Sequence, residues 1–373
     1  MAGQDGNNPM GGMPQMPGMM PGMMPGMPGM MPGMVAPGMG VPPMMGGNPM
    51  MQMMQMMQMM MGGMPQMQMV DPSAMPFAMG NVPQDNDGGL DSDIIRPATL
   101  SELLREQEPL ETGSVLDLLC LTPDGKHALG GVPKGCTMAF VGPPGKGKTR
   151  TALVALAKCA AAGMKVGFVV AEEGFHNASG SGRDDLCSRL VKIGMAATGL
   201  DEKAFREKVL ENVYVLESQY HKGQTWDDFI AKYRYLVEKA QIGFVVIDSL
   251  NMLDPTKNRT ADNLSALKTY NHEKGVTALC IGQIRDTGLP VGGEALMHTA
   301  DAVYLIEEMG LGSKEIAEQW GGKYRDKIDV IRVVKCVTTP TFPHMVRVAQ
   351  ADGTGALTVH PAHPAEFAVP TRA

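Results

Sequence analysis

The sequence predicts an α/β protein: a mainly parallel sheet with helices on both faces, an antiparallel extension at one edge, and a disordered N-terminal arm. Three observations lead there. From about residue 113, short apolar runs alternate with helical stretches. Those runs are apolar throughout rather than at every second residue, as expected of strands buried on both faces. The first 95 residues, by contrast, are low-complexity sequence with little from which to build a core.

Residues 1–95 contain 29 of the 36 methionines and no Lys or Arg before Arg96. M-P-G-M units recur through residues 13–45, where Pro and Gly interrupt any regular helix. Met51 to Met61 suits a short helix, but one too short to be stable alone in water. The arm therefore reads as disordered, with its thioethers available to a protein partner or to self-association; Cu(I) binding is weighed and set aside. Residues 96–112 read as an amphipathic linker helix with Leu100, Leu103 and Leu104 on one face and Thr99 or Ser101 as cap.

The α/β region, residues 113–352, follows in order. Strands are predicted at 137–142, 165–171, 212–217, 242–248, 277–283, 301–308, 329–335 and 344–350. Helices are predicted at 148–162, 183–197, 225–240 and 260–274. The last strands come without predicted helices between them, which implies the antiparallel edge. Residues 353–373 read as an irregular, proline-containing tail.

Charge and cysteines narrow the function classes. The formal charge of −7 is largely a property of the arm, since residues 96–373 carry 32 basic against 33 acidic side chains. That excludes a histone-like, strongly basic nucleic-acid binder. Six scattered cysteines with no C-x-x-C argue against a zinc ribbon or a secreted disulfide scaffold and suit a reducing cytosol. No basic segment leads into an apolar stretch, and no apolar run spans a bilayer, so a cytoplasmic protein is expected.

The strongest motif is Gly142-Pro143-Pro144-Gly145-Lys146-Gly147-Lys148-Thr149, a G-x-x-x-x-G-K-[ST] loop between a strand and a helix. Glycines let successive N–H groups curl around a polyphosphate, and the following helix start adds favourable potential. Lys148 is placed to reach the β- and γ-phosphates, and the Thr149 hydroxyl to ligate Mg²⁺. Phe244 to Asp248 reads as an apolar strand that delivers a carboxylate to the same sheet edge, near the metal. A hydrolase built on such a loop also needs a group that polarises water. Glu172, after the strand at 165–171, is the first choice and Glu173 the alternate.

With these residues in order, the chain resembles the RecA/RadA-type ATPases, including their KaiC-like relatives. The likeness extends over about residues 112–351. It adds Cys280-Ile281-Gly282-Gln283-Ile284-Arg285, Gly292-Gly293-Glu294-Ala295-Leu296, and upstream Thr112 to Asp117 and Gly130 to Gly135. The resemblance implies a RecA-like core that binds ATP and Mg²⁺ and assembles as a homo-oligomeric ring or filament. It implies that Gln283 senses the γ-phosphate and passes its state to the loop from Ile284 to Val291. It implies that Lys335 reaches the nucleotide of an adjacent subunit. The loop after Gln283 is short, with one basic residue, Arg285, and Val337 replaces RecA's second lysine. The zinc finger, K-N-R-F-G motif and protease-like domain usual in bacterial RadA are missing.

Motif order favours action in DNA recombination or repair on single-stranded DNA. The near-neutral core favours the alternative, a regulatory or scaffold ATPase that acts on a protein partner through residues 1–95. His176, Asn177 and His298 read as polar loop or helix groups. A phosphate contact across an interface is weighed for Arg183 and Arg189, but beside Asp184 and Asp185 they read as a solvated charged face. Trp226, Phe229 and Tyr233 read as packing residues at helical spacing.

Overall fold

A computed structural model of the chain describes residues 97–99, 105–177, 184–218, 223–253, 260–284 and 294–372. The Met-rich arm, Leu100 to Leu104, Arg183, and the loop from Arg285 to Gly293 lie outside the described residues.

Strand β1 (Pro109–Leu110) pairs antiparallel with β2 (Val132–Pro133) in a small separate sheet. The linker helix predicted at 96–112 does not extend over residues 105–112. Among the described residues of that segment, Pro97–Thr99 form a helical turn and residues 105–108 are non-helical, while Leu100, Leu103 and Leu104 lie outside them. Pro109 has no N–H to donate and disfavours helix at the residue before it.

Among the described residues the main sheet has nine strands, in the order β11-β10-β9-β8-β3-β7-β6-β4-β5. They are β3 (Thr137–Gly142), β4 (Val166–Val170), β5 (Val213–Glu217), β6 (Phe244–Asp248), β7 (Thr277–Gln283), β8 (Ala302–Gly310), β9 (Lys327–Cys336), β10 (Val346–Gln350) and β11 (Leu357–Val359). From β5 through β8 every neighbouring pair is parallel. From β8 through β11 every pair is antiparallel. The expected edge extension is therefore present.

The helices are α1 (Lys148–Ala161), α2 (Leu186–Thr198), α3 (Glu202–Lys208), α4 (Trp226–Tyr235, continued as a π-turn to Ala240), α5 (Thr260–Lys274), α6 (Glu294–Thr299) and α7 (Lys314–Gln319). Because side chains alternate along a strand, each central strand supplies two cores. Met138, Phe140, Phe168, Phe244 and Leu279 pack with Leu153 and Leu156 of α1, Leu190 of α2 and Phe205 of α3. Ala139, Val141, Val245, Ile247 and Cys280 pack on the other face with Phe229 and Tyr233 of α4 and Leu264 and Leu267 of α5. Each fully buried large apolar side chain contributes ~1.5–3 kcal/mol, which explains strands without polar alternation.

Two further expectations change. Helix α7 lies between β8 and β9, so the last strands do not follow one another directly. The segment after residue 352 is not uniformly irregular: Leu357–Val359 pairs with β10, with Val348 opposite Val359.

Candidate functional site

The parallel topology carries the carboxyl ends of β3, β4, β6 and β7 to one edge of the sheet. Gly142 stands opposite Gln283 in the register, and Asp248 stands opposite Val170 and Ile281. A cavity of about 250 Å³ opens there, lined by Pro144, Gly145, Gly147, Lys148, Thr149, Glu172, Asp248 and Gln283. Residues far apart in the sequence thus meet because parallel strands end together.

The glycines of the loop have steric reasons. Gly145 and Gly147 have φ of 75° and 86°, the left-handed region that favours glycine. At Gly142 a Cβ would stand 2.7 Å from the Ile306 Cβ. The Lys148 ammonium donates to the Gly142 carbonyl at 2.8 Å and to the Pro143 carbonyl at 2.6 Å. Burial pushes its pKa down to about 8 despite the nearby Asp248 and Glu172 carboxylates. Thr149 Oγ1 donates to Asp248 Oδ2 at 2.7 Å. Burial pushes the Asp248 carboxyl up to about 6, opposed first by that hydrogen bond.

The two adjacent glutamates are separated by their partners. Gln283 Nε2 stands 3.4 Å from both Glu172 oxygens. Glu173 instead faces the Arg189 guanidinium, whose Nη2 donates to both of its carboxylate oxygens at 2.7 Å.

Some predicted residues take other positions. Lys146 turns its side chain out of the cavity and binds Glu308 at 2.7 Å and Asp329 at 2.8 Å. Its side chain is held there by two carboxylates on the adjacent β8 and β9. Lys335 does not join the cavity. It pairs with Val303 near the start of β8, and its ammonium donates to the Ala300 carbonyl at 2.9 Å and the His298 carbonyl at 2.5 Å. His176 Nδ1 lies 2.9 Å from Asp185 Oδ2.

The cavity also includes residues that sequence reasoning missed or misread. Arg189 lines it, rather than belonging to a solvated face. Ser249 lines it with a fully buried side chain whose hydroxyl has no hydrogen-bond partner. The Asp-Ser pair at the end of an apolar strand was the available signal for Ser249. Gln350 of β10 donates to the Gly145 carbonyl at 3.2 Å.

With strand order, loop and carboxylates in place, comparison with known proteins becomes informative. Residues 111–348 match the KaiC ATPase family. The chain belongs to that family. As a KaiC-type ATPase it has the RecA fold, with a phosphate loop after the central strand. Among solved structures, a KaiC-like protein from the hyperthermophilic archaeon Pyrococcus horikoshii OT3 is 18% identical, with a TM-score of 0.48. The match covers 68% of this chain and 100% of that one. Comparison with curated proteins yields no significant match. Among the described residues of this KaiC-family chain, no helix is long and apolar enough to cross a membrane.

Proposed function

We propose that the chain is a magnesium-dependent ATPase whose cavity binds ATP, with Glu172 preparing water for attack on the terminal phosphate. The observation that carries this reading is the meeting of Lys148, the Thr149–Asp248 pair and the Glu172–Gln283 pair around one cavity. The atoms fit the ligands. Gly145 and Gly147 leave a cradle without side chains, and the buried Ser249 hydroxyl awaits a partner. Thr149 and Asp248 offer the hard oxygen donors that Mg²⁺ prefers.

In this mechanism the loop amides and Lys148 hold the phosphates, and Thr149 and Asp248 hold the metal. Bound Mg²⁺ supplies charge neutralisation at the phosphate oxygens. Lys148 is held by carbonyls, so it exchanges neutral acceptors for anionic ones on binding. Glu172 accepts the proton of the attacking water as its oxygen bonds to the terminal phosphorus and the diphosphate leaves, and Gln283 orients Glu172 and reports the terminal phosphate. Glu173, tied to Arg189, is the less available carboxylate. Calorimetry with magnesium nucleotide tests the reading: Lys148→Ala loses binding, while Glu172→Gln binds ATP without turnover. Normal hydrolysis by Glu172→Gln overturns the assignment of the base.

The outlet of the cycle is a further proposal. Action on single-stranded DNA rests on motif order, and its expected contacts fall in the loop from Ile284 to Val291, of which residues 285–291 lie outside the described residues. Action on a protein partner rests on the near-neutral charge of residues 96–373. Stimulation of ATPase by single-stranded DNA, with steep salt dependence, supports the first. Loss of partner recovery with intact basal ATPase after deletion of residues 1–90 supports the second. A ring or filament in which Lys335 serves a neighbouring subunit is proposed on the family resemblance, with particle mass in each nucleotide state as its test.

A further inference from the structure

Arg189 sits on the first turn of α2 and lines the same cavity as Lys148, Thr149, Glu172 and Gln283. Its guanidinium uses one nitrogen for Glu173: Nη2 bridges both carboxylate oxygens at 2.7 Å. The fork is therefore only partly used. Nε is buried and has no hydrogen-bond partner. Such an end-on arrangement differs from the two-nitrogen fork by which arginine usually grips a carboxylate.

The charge around the cavity explains the need for such a group. Two carboxylates, Glu172 and Asp248, face the space where a terminal phosphate and its transition-state charge would develop. The cationic side chains in the lining are Lys148, Arg150 and Arg189. Arg150 is exposed and donates to the Thr354 carbonyl. Lys146 is tied to Glu308 and Asp329, and Lys335 lies at the other end of the strands. Among the lining cations, Arg189 is the one with a donor, Nε, that is buried and unpartnered.

We propose that Arg189 is a catalytic cation of this site that distinguishes triphosphate from diphosphate. With ATP bound it turns its unused nitrogens to the terminal phosphate, and Glu173 holds it when that phosphate is absent. This rests on the ATPase reading above. The Arg189–Glu173 pair is about a quarter and a third exposed at its two ends, and a part-exposed ion pair is weak enough to be exchanged for phosphate. Glu173 thereby acquires a role distinct from that of Glu172: it parks the arginine.

The test is calorimetry on the full chain with magnesium and either a non-hydrolysable ATP analogue or ADP. Arg189→Gln should weaken the triphosphate by about tenfold to a hundredfold, the scale of a charge-assisted contact, and leave ADP within about twofold. Arg189→Lys, which keeps the charge and loses the fork, should fall between Arg189→Gln and the natural chain. Glu173→Gln releases the arginine, so triphosphate affinity should hold or rise. If Arg189 only braces the fold, Arg189→Gln and Glu173→Gln will act alike and shift both nucleotides equally. That result overturns the proposal while leaving the ATPase reading intact, provided the natural chain binds and Lys148→Ala does not. No binding of either nucleotide by the natural chain overturns both.

Discussion

The two ends of the central strands are built from similar polar residues and treat them in opposite ways. At the amino ends, polar groups satisfy one another. Tyr233 donates to Asn271 at 2.6 Å, and Asn271 donates to Thr137 Oγ1 at 3.0 Å. The Thr137 amide donates to Asp301 at 2.9 Å, and Asp301 pairs with Lys268 at 2.8 Å. At the carboxyl ends, donor and acceptor capacity is left open: the Ser249 hydroxyl and Arg189 Nε are buried and unpartnered, and Lys148 rests on neutral carbonyls. Closed networks hold a fold in register, whereas open ones leave capacity for something to bind. Substitutions should therefore separate stability from activity according to which end they touch.

The largest effect is expected at the open end. Lys148→Ala should lower nucleotide affinity by about a hundredfold or more, and Glu172→Gln should lower kcat by about 10²–10⁴, both with melting temperatures near that of the natural chain. Steady-state ATPase beside thermal unfolding checks this; a large drop in stability would break the comparison. At the closed end the reverse holds. Tyr233→Phe leaves the buried Asn271 carbonyl oxygen without its donor and should cost ~1–3 kcal/mol, with activity per folded molecule unchanged. Denaturant titration reads the loss.

Ser249→Ala is the sharper case. Its hydroxyl has no partner to lose, so stability should stay within ~0.5 kcal/mol, while turnover falls by about tenfold if nucleotide or water uses that oxygen. Equal turnover would place Ser249 with the structural residues.

The smallest effect concerns pH. Burial lowers the Lys148 pKa from 10.5 to about 8. Between those values the unfolded chain holds the extra proton, so this group makes the empty protein more stable as pH rises through that window. Nucleotide affinity follows the opposite course and falls above about pH 8, because the neutral amine no longer attracts phosphate. Lys148→Arg, which stays charged, should remove that fall; affinity measured from pH 7 to 9.5 decides it.

Much of this arrangement was legible in the sequence where a residue's role depends on its immediate neighbours. The loop at 142–149, its flanking strand and helix, and Asp248 at a strand end each carry a local signature. What escaped depends on distant partners. Helix α3 has a single buried residue, Phe205, and so no apolar period to read. The two-residue β1 and β2 and the three-residue β11 exist through pairing rather than pattern. Arg189 resembled a solvated arginine because only the folded chain brings it beside Glu173. Lys146 looked like part of the phosphate grip because Glu308 and Asp329 lie more than 160 positions away.

The chain's final strand has a consequence for any shortening of the chain. The Gly355 carbonyl stands against Gly147, closely enough that a Cβ there would sit 3.0 Å from it. The Leu357 amide donates to Thr151 at 2.9 Å, and Gln350 donates to Gly145. The floor of the loop is thus laid by residues translated some two hundred codons after it. A chain cut short of Leu357 carries the whole motif but not this buttress.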